Sequence, residues 1–242
     1  MCIRDRARAP RFSPLLLGVS ALFVACLVTS NIIAVKITRF GPLTAPAALV
    51  IFPLAYLFGD VLTEVWGYAV ARLVIWTGFF ANIVAVSFIA IAIALPSDSS
   101  FHGQAAFSTI LGQSPRLALA SLVAYLCGEF LNSFLLAKLK LATRGRFLWT
   151  RTIGSTVVGQ GVDSAIFLSL GFLGTLPGSV VLTSIGSVWL LKVVYEVAAT
   201  PLTYLIVTVA KRVEGVDTYD RHTSFAPVRL AGLRSLFKER AA

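Results

Sequence analysis

Carboxylates stand in this chain where carboxylates are rare. Of eleven acidic residues, Asp60, Glu64, Glu129, Asp163 and Glu196 fall inside long apolar runs. Asp60 and Glu64 share the stretch 46–72, PAALVIFPLAYLFGDVLTEVWGYAVAR, at a spacing of four that puts both on one face of a helix. Glu129 has Asn132 three residues on, Asp163 has Gln160 three residues back, and Glu196 has Lys192 four residues back. Asn31 and Asn82 add amides to two further apolar runs. A carboxylate at bilayer depth costs about 2.5 to 3.5 kcal/mol on insertion scales, so such groups face a bundle interior or a wet cavity and mark a function.

Bland readings cover part of this set. Lys192 and Glu196 can neutralise each other along one helix face. Asp60 can pair with Arg72, and Asn82 can serve as an interhelical hydrogen bond. The glycines of 154–174 suit close helix packing. With one lysine inside the apolar runs, four carboxylates still lack a cation, and protonation, a coupling ion or a polar ligand must account for some of them. Carboxylates, amides and aromatics (Phe52, Tyr56, Trp66, Tyr125, Phe130, Tyr195) suit a flat heterocycle, its N–H groups held by carboxylates and its face stacked on rings. The same inventory serves a proton relay or a cation path. The residues alone therefore reach a transporter of a small polar or cationic solute.

The elements that must position these groups are apolar helices. The chain is 57% hydrophobic and 13% charged, against about 25% charged in soluble domains. Its mean hydropathy of +0.84 and its repeated runs of about 20 apolar residues predict an all-α, polytopic integral membrane protein. Six transmembrane helices are expected, over 15–35, 47–66, 73–95, 117–137, 153–173 and 184–210, the last with a kink at Pro201. They divide the chain into a basic N-terminal segment (1–13), a transmembrane domain (14–210) and a basic tail (211–242). With both termini cytoplasmic, inner segments hold 17 Lys and Arg and outer segments three, namely Lys36, Arg39 and Arg116. That bias fixes the orientation. The basic residues in 138–151 read as a cytoplasmic loop.

The net charge of +10 sits at helix ends and tails, so it sets topology and does not indicate nucleic acid. Cys2, Cys26 and Cys127 have no metal or disulfide spacing, and His102 and His222 lie outside the apolar runs. The chain has neither a phosphate-binding G-x-x-x-x-G-K-[ST] nor an H-E-x-x-H motif, so no cofactor, no metal and no enzymatic role are expected.

Four stretches carry a resemblance. SNIIAVKI (30–37), FPLAYLFGDVLTEVWGYAVAR (52–72), GQGVDSAIF (159–167) and KVVYEVAATPLTYLIVTVAKRVEGVDTYD (192–220) resemble the YhhQ-type queuosine precursor transporters, also called the VUT family. The likeness covers about residues 25 to 225. It implies import of 7-cyano-7-deazaguanine (preQ0) and 7-aminomethyl-7-deazaguanine (preQ1) across the bacterial inner membrane, for salvage into tRNA queuosine. Asn31, Asp60, Glu64, Gln160, Asp163, Lys192 and Glu196 all stand in the matching stretches, and Glu129 and Asn132 complete the expected substrate-binding set. At the end of the tail motif, where Asn-Pro is expected after the phenylalanine, this chain has Phe225-Ala226-Pro227, outside the membrane. The alternative is a substrate-binding subunit of an energy-coupling-factor uptake system for a vitamin-like solute. A coupling ion, the proton, and an energising partner are left open at this stage.

Overall fold

Within a bilayer a chain must satisfy its backbone N–H and C=O groups internally, and the apolar runs accordingly become helices. The computed structural model describes residues 13–40, 43–112, 115–221 and 223–227. Among them lie α1 (Pro14–Ile33), α2 (Phe52–Trp66), α3 (Tyr68–Ala94), α4 (Gln104–Leu111), α5 (Pro115–Ala142), α6 (Leu148–Phe172) and α7 (Gly178–Glu214). The fold is all-α apart from one antiparallel hairpin, β1 (Ile37–Phe40) with β2 (Leu43–Pro46), which the sequence reading did not anticipate. The backbone N–H of Ala47 donates to Lys36 O at 2.7 Å and closes its base, and a 3-10 turn over Ala47–Val50 leads into α2.

Among the described residues, five helical stretches are long and apolar enough to cross a membrane, those carrying α1, α3, α5, α6 and α7. The sixth expected crossing differs. α2 has 15 residues, or about 22 Å, against a hydrocarbon core of about 30 Å. It packs against α1, α3, α5 and α7, and Leu57, Asp60, Val61, Leu62, Glu64 and Val65 are all buried. A short helix walled by protein need not meet lipid over its whole length, so two ionisable groups can sit on it.

Helix boundaries shift from expectation in one informative place. α5 runs on to Ala142 and α6 begins at Leu148, so Lys138, Lys140 and Arg151 are helical and the loop shrinks to 143–147. Likewise α3 starts at Tyr68, directly after Gly67. That residue has φ +85°, and a Cβ there would lie 2.7 Å from Thr218 Cγ2. Glycine thus permits both the sharp α2–α3 turn and the approach of the chain that follows α7.

That following segment is not a free tail in its described part, 215–221 and 223–227. Thr218 N–H donates to Val65 O at 3.2 Å, and the Tyr68 N–H donates to Asp220 Oδ2 at 3.0 Å, so Asp220 satisfies an orphan donor at the start of α3. Arg72 donates to Ser224 O and Ala226 O at 3.2 and 2.8 Å. Phe225 packs on the rings of Tyr68 and Phe134, with Lys138 Nζ 4.2 Å above its own ring. Residues 1–12 and 228–242 lie outside the described residues, as do most of the arginines on which the tail charges were counted.

The α5–α6 contact sets the interior. A Cβ on Gly128 would fall 2.7 Å from Asp163 Cβ, and one on Gly159 2.8 Å from Asn132 Cβ. Two glycines facing across the crossing let the backbones approach closely, as small residues do between membrane helices. Their neighbours Glu129, Asn132, Gln160 and Asp163 are thereby brought to one place.

Candidate functional site

Lys192, buried near the middle of α7, organises the interior. It donates to Asp163 Oδ2 and, at 3.1 Å, to Gln160 Oε1, both on α6. Its ammonium stands 5.6 Å from the Phe52 ring centre and 5.7 Å from that of Tyr56. Those rings lie one turn apart on α2 and stack at 6.0 Å with 6° between planes. Lys192 therefore reaches across to α6 and α2 rather than along its own helix to Glu196. The expected neutralisation of Glu196 by Lys192 does not form.

Around this centre are carboxyls without a cation. Gln160, whose carbonyl accepts from Lys192, lies beside Glu129. Asn132 Nδ2 donates to Asp60 Oδ1 at 2.9 Å. Four acceptor oxygens in this interior have no hydrogen-bond partner among the described residues: Asp60 Oδ2, Glu129 Oε2, Asn132 Oδ1 and Glu196 Oε1. Their residues are 0%, 5%, 1% and 2% exposed, where an unmet polar atom is expensive. Asp60 does not pair with Arg72, whose guanidinium is taken by the segment after α7.

The hydroxyls of Thr156 and Ser164 are buried and unpartnered too. Sequence reasoning passed over both. The signal was present, since Thr156, Gln160, Asp163 and Ser164 follow the spacing of one helix face.

Glu64 belongs to a different cluster. Arg151 Nε donates to its Oε2 and Arg151 Nη2 to its Oε1, each at 2.8 Å, and Lys211 Nζ donates to Oε1 at 2.6 Å. Lys140 Nζ is 3.5 Å from Oε1 and donates to Glu64 O, Asp217 Oδ1 and Thr218 O at 2.6, 2.6 and 2.8 Å. Asp217 binds Lys211 as well, at 2.9 Å. Burial would raise the Asp217 carboxyl, but the hydrogen bonds and charges of Lys140 and Lys211 outweigh it and hold it below the usual range. Lys140 and Arg151 lie within α5 and α6 and not in the loop expected over 138–151, which gives Glu64 the cations that the sequence pattern does not show.

Asn31 stands apart from both clusters. Its Nδ2 donates to Asn82 Oδ1 at 2.5 Å, and Ser121 Oγ donates to Asn31 Oδ1 at 3.2 Å. Asn82 thus links α3 to α1, the bland role foreseen for it. The two asparagines line a cavity of about 240 Å³ whose other walls are apolar, from Val28 of α1, Ile89 of α3 and Ile110 of α4. The structure therefore brings together Asp60, Glu129, Asn132, Gln160, Asp163, Lys192 and Glu196, and leaves Glu64 and Asn31 elsewhere.

Comparison with known proteins follows the same line. Residues 46–206 match the family described as "Putative vitamin uptake transporter". A curated relative from Bacillus subtilis (strain 168), "Probable queuosine precursor transporter", is 33% identical over 180 residues, which cover 73% of this chain and 78% of the relative. No solved structure matches the chain.

Proposed function

This chain belongs to the vitamin uptake transporter family, and from that premise we propose that it imports the queuosine precursors preQ0 and preQ1 across the bacterial inner membrane for tRNA queuosine salvage. The family is one of transporters, not enzymes, and the chain is a multi-pass membrane protein. The relative's printed name points to the substrate class, and the interior chemistry suits it. A deazaguanine presents a ring N–H and an exocyclic amine on one edge and a carbonyl oxygen beside them. Glu129, Asn132 and Asp163 supply acceptors for the first edge, and Lys192 and Gln160 supply donors for the carbonyl. Phe52 and Tyr56 offer flat faces on which a heterocycle stacks. The observation that carries this reading is the set of buried acceptor oxygens without a donor beside the aromatic-backed Lys192. Asp60 and Glu196 adjoin the substrate place, Asn31 lies outside it, and Glu64 anchors one end of the bundle.

Nothing in the relatives favours an energy-coupling-factor subunit. The direct test supplies preQ0 or preQ1 at low concentration to a strain that cannot make 7-deazaguanines and carries this gene. Queuosine returns to its tRNA. No queuosine, with the protein present in the membrane, overturns the assignment. The orientation with both termini cytoplasmic is checked by reporter fusions in the segment between α3 and α5 and after the last residue. A cytoplasmic signal from that segment reverses it.

A further inference from the structure

We propose that Asp60 and Glu196, with Glu129 between them and the substrate place, form a proton-binding site that couples uptake to the proton gradient. The inference rests on the transport reading above and adds to it where the driving ion binds. Its starting point is charge. The interior holds four carboxyls, Asp60, Glu129, Asp163 and Glu196, against one ammonium, Lys192, and that ammonium is committed to Asp163. Three carboxyls remain, each with one buried oxygen that no donor meets. They come from three helices, α2, α5 and α7.

The surroundings sharpen the choice. Asp60 faces Glu196 of α7 and Glu129 of α5, with Glu64 further along its own helix. Glu129 faces Asp163 of α6, Lys192 and Glu196 of α7, and Tyr56 of α2, with Tyr125 one turn back on α5. Anionic neighbours thus outnumber the one cation, and like charges this close in a low dielectric cannot all ionise. A proton resolves the conflict with no further ligand. It turns an unmet acceptor oxygen into a donor that can reach the acceptor of the next carboxyl. Asn132 fixes which oxygen of Asp60 takes part, because its Nδ2 already holds Oδ1 and leaves Oδ2 free. A bound metal fits less well, since no group of three or more His, Cys, Asp and Glu among the described residues is arranged to hold one.

Gln160 and Lys192 connect this site to substrate. Gln160 holds Lys192 and lies beside Glu129. Substrate draws the ammonium onto its carbonyl oxygen and away from Glu129, so Glu129, Asp60 and Glu196 are left without that cation and hold their proton more tightly. Each substrate therefore binds best to the protonated site, and one proton travels with it.

Two measurements on the purified full-length protein test this, one of them free of substrate. Infrared difference spectra between neutral and mildly acidic pH should show a titrating C=O stretch of buried protonated carboxyl. Asp60→Asn and Glu196→Gln should each reduce it, with the helical content unchanged. In proteoliposomes, an inward proton gradient of about one pH unit should drive about tenfold accumulation of preQ1 if one proton accompanies each molecule. Glu196→Gln should remove that accumulation more than it slows exchange of labelled for unlabelled preQ1 at equal pH. A carboxyl band that neither variant alters, or one abolished by sodium at constant pH, overturns the proposal. So does preQ1 accumulation that ignores the pH gradient and follows a sodium gradient. Absence of preQ1 exchange in the wild type counts against the substrate assignment alone, and the infrared result then still decides the proton site.

Discussion

Arg151 holds Glu64 through two parallel hydrogen bonds of 2.8 Å, a fork-to-fork pair with both side chains almost fully buried. Lys211 closes on the same carboxylate from the end of α7. One acid on the short central helix thus ties together α2, α6 and α7, and through Lys140 also α5. The geometry is the strong form of a charged hydrogen bond. Its value to stability is conditional, because buried ions must first be desolvated.

Removing one partner should therefore be worse than its apparent worth. Glu64→Gln leaves Arg151, Lys140 and Lys211 crowded without the central anion, and should cost about 3 to 5 kcal/mol. Arg151→Lys keeps the charge but loses the fork, and should cost less. Thermal unfolding in detergent, monitored at matched salt, checks the order of the two. Equal stability of Glu64→Gln and the parent would show that the cluster is not structural.

Asp163 is the carboxylate that both the bound lysine and the proposed substrate require. Asp163→Asn keeps the shape, but exchanges one acceptor for a donor that then faces Lys192 and the ring N–H groups. Loss of preQ1 binding on the order of 2 to 3 kcal/mol, roughly 30- to 150-fold, is expected. Equilibrium binding to the purified variant, at parental expression level, measures it. Parental affinity would move the substrate away from Asp163.

The α5–α6 crossing should tolerate no added methyl at its centre. A Cβ at residue 159 would press on Asn132 Cβ and on Gly128 O, the latter at 3.0 Å, and backbone cannot step aside cheaply. Gly159→Ala should destabilise by about 1 to 3 kcal/mol and spread Glu129 and Gln160 apart, lowering uptake as well. Gly186→Ala on α7 is the control, since no atom lies within 4 Å of its added Cβ. A neutral Gly159→Ala would contradict the close approach described.

The segment after α7 should loosen in acid. The Asp217 carboxyl lies below its usual range in the folded protein, so its contribution is present above the unfolded value, about 3.9. That contribution is lost as pH falls through the lower folded value. Protection of the 215–221 amides, relative to the intrinsic exchange rate at each pH, should therefore fall on acidification below about pH 4. Asp217→Asn should exchange faster already at neutral pH and lose part of the acid response. Protection that is identical in both proteins would assign the hold on this segment to Asp220 and Phe225 instead.

The sequence by itself determined that the long apolar runs are helices and that the acids lie within them. Apolar runs of this length admit little else in a bilayer, because the backbone must hydrogen-bond within each segment. Asp163 and Glu196 could thus be put near the middles of their helices, and Gln160 beside Asp163 on one face, from spacing alone. The resemblance of four stretches reached the family by the same local route. Tertiary structure decided which charge meets which. Lys192 passes over Glu196, four residues along its own helix, for Asp163 on another, because α6 and α7 pack face to face, with Gly161 of α6 against Trp189 of α7. Arg151 and Lys140 turn inward to Glu64 because α5 and α6 extend past their apolar cores. Periodicity reports neighbours along a helix. Partners between helices depend on the angles and separations at which whole faces pack, and no single segment encodes those.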